Sequence, residues 1–142
     1  MEFRDFPDDT VLLKALPGEE IVAALTAFLN ERKIYAGSFA GIGAVGEAEV
    51  AFWDPAARRY LKRVLPGPLE ILSVNGNVAR TEDGKSFVHA HIVLGDRELR
   101  ATGGHLFRAL AEPTCELVLR PLPGIVERRM EPECGLRLWR LI

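Results

Sequence analysis

The chain has 142 residues, 48% of them hydrophobic and 27% charged, with a formal net charge of −2. This is the composition of a soluble globular protein, and the length fits one domain over residues 1–142 that buries roughly two thirds of the surface its unfolded chain exposes. The near-neutral balance gives no general pull towards nucleic acid or an anionic membrane, the apolar stretch 21–29 is far too short to span a bilayer, and the acidic start MEFRD is not a signal peptide.

A cytoplasmic protein is therefore expected. Cys115 and Cys134 are the two cysteines and form no CxxC pair, which suits reduced thiols in a reducing compartment, with Cys115 packed in a strand.

In chain order, residues 10–16 (TVLLKAL) predict a short first strand ended by Pro17-Gly18. Glu19-Glu20 then favour the positive end of a helix dipole, and Ile21, Leu25, Phe28 and Leu29 recur at helical spacing. Arg32-Lys33 suit the C-terminal end of that helix.

From there the sequence turns to strands. Residues 35–42 (YAGSFAGI) and 45–53 (VGEAEVAFW) predict two, the second with Ala48, Val50 and Phe52 on one face and Glu47 and Glu49 on the other. Asp54-Pro55 makes a turn, residues 59–65 alternate again, and Pro66-Gly67-Pro68 breaks the pattern. Residues 69–78 (LEILSVNGNV) predict a strand bulged at Gly76, and Glu82-Asp83-Gly84 a turn.

Residues 87–94 (FVHAHIVL) are aromatic and β-branched enough for a strand. Alternation puts Val88, Ala90, Ile92 and Leu94 on an apolar face and Phe87, His89, His91 and Val93 on the other. A tight turn at Gly95-Asp96 returns the chain through residues 98–102, and Gly103-Gly104 bring His105, the third and last histidine of the chain, near the first pair.

Residues 106–111 predict a short helical turn ended by Glu112-Pro113, residues 114–119 a strand, 121–124 a loop, and 125–130 and 136–141 two closing strands. The last strand is apolar enough to be buried against another subunit. One early helix followed by many short antiparallel strands predicts an α+β domain: a mostly antiparallel sheet with one main helix packed on it.

Three neutral imidazoles converging from a hairpin make a facial site for zinc or another divalent ion, with one coordination position left open for chemistry or a ligand. Histidines on a mixed strand face also serve simply as hydrogen-bonded side chains. Asn75 and Asn77, flanking Gly76, either shape a polar pocket beside the histidines or form a bulge.

Taken in order, Gly41-Ile42-Gly43-Ala44-Val45, Ala51-Phe52-Trp53-Asp54, Leu69-Glu70-Ile71-Leu72-Ser73-Val74-Asn75-Gly76-Asn77, His89-Ala90-His91 and Gly103-Gly104-His105-Leu106 resemble the plants-and-prokaryotes conserved (PPC) domain over nearly the whole chain. The resemblance implies a mixed sheet with one main helix, a stand-alone domain of the bacterial and archaeal type that assembles as a homotrimer, and a metal site at His89, His91 and His105. Members are often catalogued as DNA-binding proteins. Plant relatives carry AT-hooks, and this chain lacks the Arg-Gly-Arg-Pro core of such a hook. Its basic clusters, Arg58-Arg59 with Lys62-Arg63 and Arg128-Arg129, read as solvated faces.

The histidine layout is also similar to that of acetolactate decarboxylase, of a related fold, which holds zinc on three histidines. That likeness and the open metal position point to the alternative function, a zinc-dependent lyase or hydrolase acting on a small molecule; Glu116, in the strand just after the histidine hairpin, is the candidate catalytic acid or base, and a solvated strand glutamate is the other reading of Glu116. The first function is a homotrimeric metal-binding protein of the PPC type with a regulatory, DNA-associated role.

Overall fold

Val11, Leu13 and Ala15 are buried while Leu12 and Lys14 face outward, and this two-residue alternation governs most of the chain. The computed structural model describes residues 1–141 and has one helix among eight strands. The strands are β1 (Glu2–Asp5), β2 (Val11–Ala15), β3 (Gly37–Asp54), β4 (Arg59–Arg80), β5 (Ser86–Gly95), β6 (Ala101–Pro121), β7 (Glu127–Glu131) and β8 (Leu136–Arg140), and the helix is α1 (Ile21–Arg32).

Strand makes up 66% of the chain and helix 9%, so the fold is mostly β with a single helix, which corrects the α+β expectation. The physical reason lies in segments that looked like breaks. Residues 106–111, expected as a helical turn, are the middle of β6. Residues 35–42 and 45–53 belong to one long strand, β3, and Pro66-Gly67-Pro68 bends β4 without ending it.

Proline removes a ladder donor and is tolerated in a sheet at bulges. Here the β3–β4 register shifts between Val45 and Glu47, opposite Pro66, and the β3–β6 register shifts between Gly43 and Val45, close to Pro113. Two proline segments thus flank the same irregular stretch of β3, where the ladders skip and resume.

β3 pairs antiparallel with β4 and β6, and β5 pairs antiparallel with the same two strands. These four strands therefore form a closed circuit. β2 adds to the far half of β6 and β1 to β2, while β7 joins β4 by one parallel pairing, Arg80 with Glu127, and β8 pairs with β7.

The inward side chains form one hydrophobic cluster in which Leu13, Leu25, Leu29, Val45, Val74, Val78, Ile92, Leu94, Cys115, Leu117 and Leu119 are fully buried. Helix α1 supplies Ile21, Leu25, Phe28 and Leu29 to it. The N-cap is Glu20, whose carboxylate accepts from the N–H groups of Val22 at 3.1 Å and Ala23 at 2.7 Å, offsetting the orphan donors of the first turn. The same carboxylate accepts from Ala109 N–H on β6 at 2.9 Å, which pins the helix to the sheet. Lys33, in the left-handed conformation at φ 54°, ends it. Among the described residues no helix is long and apolar enough to cross a membrane.

Candidate metal centre

Ala90, Ile92 and Leu94 point into the core, so alternation along β5 turns His89 and His91 to the outer face. His89 stands across from Asn77 and His91 from Asn75 on β4, while on the other side His91 is the register partner of His105 on β6. The connection that sets this register is longer than a two-residue turn. Gly95 pairs with Ala101, and the Asp96 carboxylate accepts from the N–H groups of Glu98 and Arg100, each at 3.0 Å. Gly104 lets β6 approach β3 closely, since a Cβ there would stand 2.7 Å from the carbonyl oxygen of Ala51.

The three imidazoles converge. Ring centroids are 5.4 Å apart for His89 and His91, 5.0 Å for His89 and His105, and 5.5 Å for His91 and His105. One ring nitrogen from each lies within 4.8 Å of the others. Tetrahedral zinc with Zn–N of roughly 2.0–2.1 Å needs nitrogens about 3.3 Å apart, a contraction within the range of side-chain adjustment. His89 and His105 are half-buried and His91 is exposed.

Burial pushes the His89 pKa down to about 4, helped by the positive charge of Arg128 and then by His91. His105 is likewise pushed down to about 4, by burial first and then by the two other imidazoles. Both rings are thus neutral at pH 7, and each has one lone pair of the kind that ligation requires. An all-imidazole donor set suits zinc and the neighbouring late first-row ions. These residues fit such an ion.

Around the histidines is a cavity of about 700 Å3 walled by the β3–β4 arm on one side and the β7–β8 hairpin on the other. Tyr60 packs 4.9 Å from His105 and 4.9 Å from Trp53, and Phe107 lies 4.9 Å from His105. Burial raises the Tyr60 phenol pKa above its ordinary value. From β7 comes Arg128, only 6% exposed. Its Nη1 donates to the carbonyl of Arg137 at 2.6 Å, and its Nη2 to Asn77 Oδ1 at 3.1 Å and to His89 Nδ1 at 2.7 Å.

The hairpin of His89, His91 and His105 expected from the sequence is thus brought together, whereas Glu116 is placed elsewhere. Glu116 is exposed on β6, paired with Lys14 and Ile42, eleven residues along the strand from His105, a path of about 35 Å at ~3.3 Å per residue. It lines a separate groove with Phe3, Leu12, Ile42 and Val118. Of the two asparagines, Asn77 joins the polar pocket through Arg128, while Asn75 donates to Ser73 Oγ at 2.6 Å.

Arg128 escaped sequence reading because Arg128-Arg129 looked like a solvated pair. The available signal was alternation: on a strand two adjacent arginines face opposite ways, so where one face of the strand is covered one of the pair turns inward. Tyr60 and Phe107 carried no motif at all.

A family profile for the Plants and Prokaryotes Conserved (PCC) domain, the family abbreviated PPC above, matches residues 6–123. A solved structure from Bacteroides thetaiotaomicron, described as a "putative DNA binding protein", superposes with TM-score 0.93 at 28% identity, covering 98% of this chain and 96% of that one. A metal-containing protein of Archaeoglobus fulgidus gives TM-score 0.88 at 35% identity over 99% of both chains. The bifunctional protein GlmU of Synechococcus sp. (strain JA-3-3Ab) is 32% identical over 126 residues, which are 87% of this chain. This chain spans only 19% of that relative's length. With the profile matching most of its length, this chain belongs to the Plants and Prokaryotes Conserved domain family.

Proposed function

We propose that this chain is a homotrimeric metal-binding protein of the PPC family, a single domain that holds a divalent ion, zinc first among them, on His89, His91 and His105 and binds a small ligand beside it in a regulatory, DNA-associated role. The observation that carries the metal reading is the convergence of three ring nitrogens within 4.8 Å of one another. The archaeal relative described as metal-containing supports it. A cytoplasmic setting agrees with two free cysteines, Cys115 and Cys134.

Elemental analysis of protein purified without chelator or histidine tag tests the reading. One equivalent of zinc or a similar ion per chain, lost in His91→Ala, is expected. No metal, and none taken up by the chelator-treated protein, removes it.

The trimer is supported by apolar side chains left on the outer face: Ile42 is 61% exposed, and Leu12 and Val118 lie beside it in the groove that holds Glu116. The DNA-associated part is supported by the description of the Bacteroides relative. Gel-shift titration over a salt series tests it, because phosphate contacts weaken as salt rises.

A second reading, a small-molecule lyase or hydrolase, is favoured by the aromatic-walled cavity of about 700 Å3 that opens on the histidines. A bound zinc would supply Lewis acidity to a carbonyl or acidify a water. The chain's own residues would bind and orient the substrate: Trp53, Tyr60 and Phe107 as walls, Arg128 as a fixed positive charge. Equal turnover of 2-hydroxy-keto acids and simple esters by wild type and His91→Ala would remove this reading.

A further inference from the structure

We infer that Arg128 is the recognition residue of the histidine cavity, and that the ligand it takes is a small organic oxyanion, a carboxylate or phosphoryl group on an apolar, flat body. This rests in part on the metal reading given above, but its main supports are independent of it.

The first support is an unbalanced charge. Arginine stays protonated under all ordinary conditions, and here the guanidinium is almost fully buried. Among the described residues, no aspartate or glutamate lines the cavity. The neighbouring Glu127 carboxylate is engaged by Arg80 at 2.8 Å and Arg129 at 2.9 Å. A buried cation is stable when paired, and removing or lacking the counter-charge is costly.

The second support is an unused donor. Among the described residues Arg128 Nε is buried and without a hydrogen-bond partner, whereas buried donors are normally satisfied. Its neighbour Nη2 leans on His89 Nδ1, and that contact needs a free lone pair on the ring. When His89 ligates a metal through either ring nitrogen, its Nδ1 no longer offers one, because it is either coordinated or protonated. Nη2 is then released on that side, next to the unused Nε. The Nε–Nη2 edge is one of the two forks with which a guanidinium grips an oxyanion in two parallel hydrogen bonds.

The third support is the rest of the wall. Phe87 and Trp139 flank the guanidinium at 5.5 Å and 5.8 Å from its carbon to their ring centres. Trp53, Tyr60, Phe107, Met130, Leu136 and Leu138 complete an apolar lining. Arg137 and the three imidazoles are the other polar residues of the lining, and Arg128 is the buried cation among walls that are mostly apolar, an arrangement that selects an anion with a flat or hydrophobic remainder.

Binding of benzoate, phenylphosphonate and the neutral isostere benzamide, followed by calorimetry and by the fluorescence of Trp53 and Trp139, tests the inference on zinc-loaded and chelator-treated protein. At least one of the two anions should bind wild type about tenfold or more tightly than benzamide, as expected for a charge-assisted grip. The better of the two tells whether a carboxylate or a phosphoryl group is preferred. Arg128→Gln should abolish the anion preference, and Arg128→Lys should retain part of it.

Benzamide binding as well as both anions, no anion binding at millimolar concentration, or an unchanged preference in Arg128→Gln would each overturn the inference. Should Arg128→Gln not fold, the wild-type comparison and Arg128→Lys decide. Zinc content is measured on every sample: an anion preference in protein that takes up no zinc keeps this inference and removes the metal reading, and zinc-loaded protein without the preference does the reverse.

Discussion

A Cβ on Gly103 would stand 2.1 Å from the carbonyl oxygen of Ile92, so β6 can lie beside β5 at this point only because residue 103 has no side chain. Gly103 pairs with Val93, two pairs from His91 and His105 in the same ladder. Gly103→Ala is therefore expected to push the strands apart, lower stability by about 1–3 kcal/mol and reduce the bound zinc per chain. Circular-dichroism melting and elemental analysis of the same preparation check both effects together.

Zinc that binds only the folded state adds stability by mass action, about 2.7 kcal/mol at a hundredfold excess over its dissociation constant. Wild type should gain several degrees in Tm on zinc addition and lose them with EDTA. His89→Ala, His91→Ala and His105→Ala should each bring that response close to zero, and scanning fluorimetry with and without metal measures it.

In metal-free protein the histidines set an acid limit. His89 and His105 have folded-state pKa values near 4, below the 6.5 of an unfolded histidine. As pH falls below 6.5 the unfolded chain takes up protons that the folded chain refuses, so stability declines from pH 6.5 down to about 4, and carboxylates such as Glu19, with a lowered pKa, add their own loss below that. Urea midpoints of chelator-treated protein at pH 7.5 and pH 5 should differ in this direction. The double variant His89→Gln with His105→Gln should flatten the difference.

Two leucines should respond in opposite senses. Leu25 is 1% exposed in the core, and Leu25→Ala is expected to cost about 2–5 kcal/mol. Leu99 is 92% exposed and sits at φ 60°, a conformation that glycine adopts without steric penalty. Leu99→Gly should be neutral or stabilising by up to about 1 kcal/mol, as read from chemical denaturation.

Ile42 at the centre of the exposed apolar groove is the position through which the assembly is testable. Ile42→Arg places a charge where a subunit contact would bury it, and the mass by light scattering should fall from three chains to one. A wild type that already runs as one chain removes the trimer.

Sequence reading succeeded where one local rule governs a segment. The two-residue period at His89, Ala90, His91 and Ile92 fixes which side chains face out, and Ile21, Leu25, Phe28 and Leu29 fix the helix face. It failed where a partner strand overrides the local signal. Pro66, Pro68 and Pro113 looked like terminators, yet each lies by a bulge of a strand that continues, and only the paired geometry of β3 reveals that the skipped donors are not needed. Phe52 failed likewise: alternation groups it with the buried Ala48 and Val50, but the β3–β4 arm outruns the core and leaves it 67% exposed. Arg128 and Asn77 meet across 51 residues of sequence, which no motif connects.

The sheet ends in β1 and β8, of four and five residues, while the 18-, 22- and 21-residue strands β3, β4 and β6 all lie inside. At those two ends the template for runaway chain-to-chain stacking is a short ribbon. On β8 that ribbon is further interrupted by Arg137 and Arg140, so copies of this protein crowded together are guarded against fibre growth at their rims.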